Sequence, residues 1–264
     1  MKKLFFLFVV TFVVFPLAAQ NATFFYLRGS VYHQKGDLDS AISDYTKAIS
    51  LDPYNLDIYN DRAAAYQEKG DLDKAIADYT KVTSLDPKKG AAWYGLGSAY
   101  QNKGDMDKAI ENYSKAISLA PNEAGIFSDR GSAYMSKGDV NKALADYNRA
   151  IDLNPNVEYV WLARGEAYFG LKQYDKAIAD FTKVISMNPN STAALSDRAQ
   201  AYLETKKFDN AIADLSKIIA LEPNNPDAYN NRASAYTANG NYDQAINDLN
   251  KALEVSPKGD TGKH

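Results

Sequence analysis

The chain has 264 residues, 45% of them hydrophobic, with 30 Lys and Arg against 33 Asp and Glu and a formal net charge of −3. That balance excludes a disordered charged tail and a basic nucleic-acid-binding surface. With no cysteine and only His33 and His264, it also excludes disulfides, thiolate metal sites, a cysteine nucleophile, a lipidated cysteine and histidine-rich metal chemistry.

The first twenty residues, MKKLFFLFVVTFVVFPLAAQ, set Lys2 and Lys3 before an apolar run from Leu4 to Ala19 that contains Pro16 and ends in small residues. This is the order of a secretory signal, so residues 1–19 are expected to be a signal peptide and the chain to be exported, to a periplasm or beyond the cell. The alternative is a retained membrane anchor. Its apolar run would fall short of the roughly 20 residues a spanning helix needs.

From Ala22 the chain repeats itself every 34 residues, marked by Pro53, Pro87, Pro121, Pro155, Pro189, Pro223 and Pro257. Seven gapless repeats follow: 22–55, 56–89, 90–123, 124–157, 158–191, 192–225 and 226–259, with 260–264 left as a disordered tail. In each repeat, places 4, 7, 8 and 11 form the i, i+3, i+4, i+7 stripe of an amphipathic helix. Place 11 is always tyrosine, from Tyr32 to Tyr236, and place 8 is always Gly or Ala. A turn at places 15 and 16 combines Gly with Asp or Asn in five repeats, and in all seven a second helix carries Ala at place 20 and Tyr, Phe or Leu at place 24. The proline at place 32 ends that helix, because it cannot continue one and biases its predecessor away from helical angles. One such helix pair cannot bury its own stripe, so neighbouring pairs must stack.

The segment WYGLGSAY (Trp93–Tyr100), followed by Ala109, Tyr113 and Pro121, resembles the tetratricopeptide repeat signature, and the other six repeats fit the same frame. The resemblance implies an all-α fold, a right-handed α-solenoid superhelix of helix-turn-helix repeats with a concave groove. It also implies a non-catalytic protein-interaction scaffold without a cofactor.

Place 7 departs from that signature. Where the signature has leucine, this chain has Arg28, Arg62, Leu96, Arg130, Arg164, Arg198 and Arg232. Sixteen residues on, place 23 reads Asp44, Asp78, Asn112, Asp146, Asp180, Asp214 and Asp248. A charge in a packed stripe needs a partner, and the repeat that lacks the cation also lacks the anion. The spacing therefore predicts ion pairs tying first helix to second. The alternative is an arginine that reaches past the stripe to water.

In the family, first-helix places 2, 5, 6, 9, 12 and 13 line the groove. Carried onto this chain they supply Asp57, Asn60, Asp61, Glu68, Asn102, Asp129, Glu166, Asp197, Glu204, Asp227 and Asn230, with no lysine or arginine. The carboxylate clamp of chaperone-binding relatives needs lysine, asparagine and arginine at places 5, 9, 6, 2 and 6 of three successive repeats, where this chain offers Tyr26, Ser30, Asp61, Ala91 and Gly95. The expected partner is instead a basic or polar protein segment, with no nucleic acid. Tyr159, Leu162 and Phe169 at groove places of the fifth repeat make either an apolar anchor or local packing against the turn at Lys172. Finally, Leu249, Ala252, Leu253 and Val255 leave an apolar edge on the last helix. That edge offers a second reading: a structural protein that self-associates, as a homodimer, through its C-terminal repeat.

Overall fold

A computed structural model describes residues 17–256. The expected tail at 260–264 lies outside the described residues. So does the expected signal peptide, apart from its last three positions, whose backbone opens the first helix. Among the described residues there are fourteen helices and no strand, and no helix is long and apolar enough to cross a membrane. They fall into two compact units, one ending at Ala120 and one starting at Pro121. The first holds α1 (Leu17–Gln34), α2 (Leu38–Leu51), α3 (Leu56–Lys69), α4 (Leu72–Leu85), α5 (Gly90–Lys103) and α6 (Met106–Leu119). The second holds α7 (Ala124–Ser136), α8 (Val140–Leu153), α9 (Glu158–Gly170), α10 (Tyr174–Met187), α11 (Thr192–Glu204), α12 (Phe208–Leu221), α13 (Pro226–Ala238) and α14 (Tyr242–Val255).

Local chemistry sets these boundaries. Asp37 and Asp105 cap α2 and α6 by accepting from the backbone N–H of Ser40 and Lys108, each at 3.2 Å. Gly70 and Gly104 close α3 and α5 in the left-handed region, at φ of 88° and 87°. Two of the seven turns hold a lysine in that region instead, Lys172 and Lys206, both at φ 58°, an uncommon conformation for a side-chain-bearing residue. Each second helix ends just before its proline, as α2 does at Leu51 ahead of Pro53.

Within each unit, a helix packs on its hairpin partner and each second helix packs on the first helix of the next hairpin. First helices also touch one another, α1 with α3, α3 with α5, α7 with α9 and α9 with α11. They therefore share the inner side of each unit. The close approach inside a hairpin depends on place 8. A Cβ on Gly97 would lie 2.7 Å from the Tyr113 ring, and one on Gly165 would lie 2.6 Å from the Phe181 ring. The sixth repeat uses Ala199, and the facing residue is the smaller Leu215. The second repeat keeps both Ala63 and Tyr79, and there the ring leans onto α5. A Cβ on Gly95 would meet Tyr79 Cζ at 2.4 Å, so Gly95 makes the space that Ala63 takes away.

Candidate partner-binding surface

The arginines fix the hairpins that carry the inner face. Nε and Nη2 of Arg28, Arg62, Arg130, Arg164, Arg198 and Arg232 donate to both carboxylate oxygens of Asp44, Asp78, Asp146, Asp180, Asp214 and Asp248, at 2.6–2.8 Å. All six aspartates are buried. Paired planar groups of this kind match each other bidentately and are stronger than neutral hydrogen bonds. Aromatic rings lie against each guanidinium. Arg164 lies 4.8 Å from the Trp161 ring centre and 5.7 Å from that of Tyr168. A third hydrogen bond reaches back one hairpin, from Nη1 of Arg62 to Thr46, of Arg164 to Asn148, of Arg198 to Thr182 and of Arg232 to Ser216. Each of these arginines therefore binds its own hairpin and the preceding one. In the third repeat Leu96 is buried, and Asn112 turns its amide back to the Lys108 carbonyl at 2.7 Å.

On the inner side of the first unit, α3 and α5 frame an open trough of about 410 Å³ lined by Asn60, Gln67, Glu68, Tyr94, Ser98 and Asn102, with Tyr79 beneath. Gln67 donates to Ser98 at 2.8 Å. Asn60 Oδ1 is buried and has no hydrogen-bond partner among the described residues. Neighbours engage several of the acidic groups here. Asp57 pairs with Lys89, Asp61 accepts from the Tyr26 hydroxyl at 2.8 Å, and Glu68 meets His33 at 3.0 Å. Burial and then the Asp61 carboxylate push the Tyr26 hydroxyl well above the usual tyrosine range.

In the second unit, Glu166 and Phe169 of α9 face Asp197 and Gln200 of α11 across a cavity of about 80 Å³, with the Phe181 ring at its floor. The cavity is far smaller than the few hundred Å³ of a small-molecule site; it accommodates the tip of one side chain. Neither carboxylate has a hydrogen-bond or ion-pair partner among the described residues. Partial loss of water raises both carboxyls above the ordinary carboxylate range, and Glu166 is raised further by the neighbouring Asp197. The three aromatic and apolar groups of the fifth repeat do not converge. Phe169 lines this cavity and packs edge-on against Tyr174 at 5.3 Å. Tyr159 bonds instead to Ser128 at 2.7 Å, and Leu162 is half-buried on α9. Asp129 is half-buried on α7, Glu204 accepts from Tyr174 at 3.3 Å, and Asp227 and Asn230 are exposed on α13. Sequence reasoning missed Phe181, whereas Gln200 stands at place 9, one of the groove places. Phe181 counted only as a core residue, although Gly165 lets its ring reach the inner side.

Equal helical hairpins, locked by buried ion pairs and stacked so that first helices share an inner face, define a helical-repeat scaffold for protein–protein interaction. The chain belongs to the tetratricopeptide repeat family: a TPR repeat model matches residues 29–70, 65–104, 131–172 and 199–240, and a Tetratricopeptide repeat model matches 90–123, 158–191 and 226–258. Members of this family are generally non-catalytic scaffolds. By sequence the chain matches no curated protein. Among solved structures it is similar to the C-terminal part of a TPR repeat-containing protein from Cytophaga hutchinsonii. The identity is 24% and the TM-score 0.76, covering 89% of this chain and 96% of that one. It is also similar to MamA, at 28% identity and TM-score 0.58, covering 61% of this chain and 94% of that one. A third likeness is to YrrB, described as a TPR protein with an unusual peptide-binding site, at 19% identity and TM-score 0.62, covering 69% and 93%. At these identities the first and third show the fold alone.

Proposed function

We propose that the chain is an exported, non-catalytic scaffold that holds a basic or amide-rich segment of a partner protein along its inner face. The observation that carries this reading is the Glu166–Asp197 pair, two adjacent carboxylates over an aromatic floor with no cation beside them. A lysine or arginine tip supplies the missing charge, and its apolar stem packs on Phe169. In the first unit, the unpaired Asn60 carbonyl asks for an N–H donor from the same kind of segment. YrrB, with its peptide-binding site, is a structural neighbour that agrees with a peptide ligand. Export rests on the charge and apolar pattern of residues 1–19.

Fluorescence anisotropy with a labelled lysine- and asparagine-rich peptide tests the pocket. Glu166→Gln with Asp197→Asn is expected to weaken binding by about tenfold or more, and raising salt should weaken the parent. Equal affinity for a glutamate-rich peptide of the same length would remove the reading. The pH dependence has a defined sign. Both carboxyls hold protons more tightly in the folded chain than in the unfolded one. Stability therefore falls as pH rises from the ordinary carboxylate range through their raised values, and peptide affinity rises over the same interval as the protons leave. Export is checked separately, by fractionation and N-terminal sequencing of the protein from its own cells, with Gln20 expected as the first residue.

A further inference from the structure

The two ends of the array carry the two halves of an interface that recurs inside it. Within the first unit, Ile42, Tyr45 and Ile49 of α2 pack against Ile58 and Ala65 of α3. Within the second, Ile212, Leu215 and Ile219 of α12 pack against Ala228 and Ala235 of α13. The same places on α14 are Ile246, Leu249 and Leu253, all exposed, Leu253 at 77%. The same places on α1 are Phe24 and Val31, also exposed, at 56% and 50%, whereas Ile58 and Ala65 are buried. We infer that α14 of one copy stacks on α1 of a second copy, head to tail, and continues the repeat between molecules.

The polar contacts point to the same occupant. Inside the units, the place-7 arginine reaches back to place 25 of the preceding hairpin, as Arg164 does to Asn148 at 2.6 Å. Arg28 has no preceding hairpin among the described residues, and its side chain is 45% exposed, against 15–19% for the other five paired arginines. Place 25 on α14 is Asn250, the same residue type as Asn148 and likewise exposed. Place 14 also links hairpins: Lys69 pairs with Asp39, Lys103 pairs with Asp73, and Asn239 donates to Asp209 at 3.0 Å. At the ends these places are Lys35 and Asp243. Size matches as well as charge. Val31 is larger than the alanine at its place in every other repeat, and Leu249 is smaller than Tyr45, which packs in one cluster with Ala65.

A head-to-tail contact is heterologous, and this gives it a distinctive test. The full chain, as the cell processes it, is compared by light scattering with Val31→Glu and Leu253→Glu. Both positions are exposed, and circular dichroism verifies that the variants fold. The parent is expected to gain mass with concentration. Each variant alone should be monomeric. Their equimolar mixture should form dimers and nothing larger, because each supplies the edge the other has lost. A parent that stays monomeric at every attainable concentration overturns the inference, whatever covers the two edges. So does a mixture that stays monomeric. Val31→Glu dimers would mean that two α14 edges pair, Leu253→Glu dimers that two α1 edges pair, and either result also overturns it.

Discussion

Replacing Arg164 with leucine is expected to lower the stability of the folded chain by about 3 kcal/mol in chemical denaturation, the range for breaking a largely buried pair from one side. The loss has an identifiable origin. Asp180 is only 3% exposed, and it receives both of its side-chain hydrogen bonds from this guanidinium, at 2.7 and 2.8 Å. Removing the cation leaves a desolvated carboxylate facing a methyl group. Adding Asp180→Asn should recover about half of the loss or more, since the third repeat already folds with Leu96 and an asparagine that satisfies itself on its own helix. Recovery should be incomplete, because the variant also loses the bond to Asn148 and the contact with the Trp161 ring. Additive losses in this double-mutant cycle would mean that the two residues act separately, and the pair would drop out of the account of how hairpins are held.

The second large effect comes from adding one carbon atom. Gly165→Ala would put its Cβ 2.6 Å from Cε1 and 2.9 Å from Cδ1 of Phe181, a side chain that is fully buried. A ring in a packed layer cannot move aside as the end of a flexible chain can. The helices must separate, and overpacking of this sort destabilises by about 1–3 kcal/mol. Thermal unfolding of Gly165→Ala should show that loss. Gly165→Ala with Phe181→Leu should restore most of it, because it rebuilds the Ala199–Leu215 arrangement of the next repeat. A single variant as stable as the parent would show that these hairpins are looser than their geometry. Phe181 also floors the acidic cavity, so the double variant should bind a lysine-bearing peptide differently even where stability is regained.

Much of the fold was legible because one rule is written seven times. The prolines set the period, the place-11 tyrosines and place-8 small residues set the faces, and the coincident exception at Leu96 and Asn112 linked two columns of residues sixteen apart. The inner face was less legible. Its acidic character followed from the family frame, but which acids are engaged depends on residues 30 or more positions away. Lys89 reaches Asp57, and the Tyr26 hydroxyl reaches Asp61. Such contacts depend on side-chain reach between neighbouring helices, which periodicity does not encode. The arginine's backward bond was missed for a related reason. Place 25 varies among Thr, Asn and Ser, three chemistries that accept equally well and leave no single-letter signal. The fifth repeat's two aromatics and leucine show the same limit in a different way. Tyr159, Leu162 and Phe169 share groove places, yet Tyr159 and Phe169 lie nearly three turns apart on α9, and Tyr159 bonds to Ser128 while Phe169 packs on Tyr174 by the turn.

The leucine at position 96 has a mechanical consequence. Arginines elsewhere clip a hairpin to its predecessor, but Leu96 has no donor to offer Thr80, so apart from the exposed Lys103–Asp73 ion pair at its end α5 rests on α4 mainly through nonpolar contact and the Tyr79 ring leaning over Gly95. Nonpolar surfaces slide more readily than charge-assisted bonds break, because they carry no directional preference. A pull or a twist on the first unit should therefore yield at that seam before the one clipped by Arg62, which makes it that unit's built-in joint.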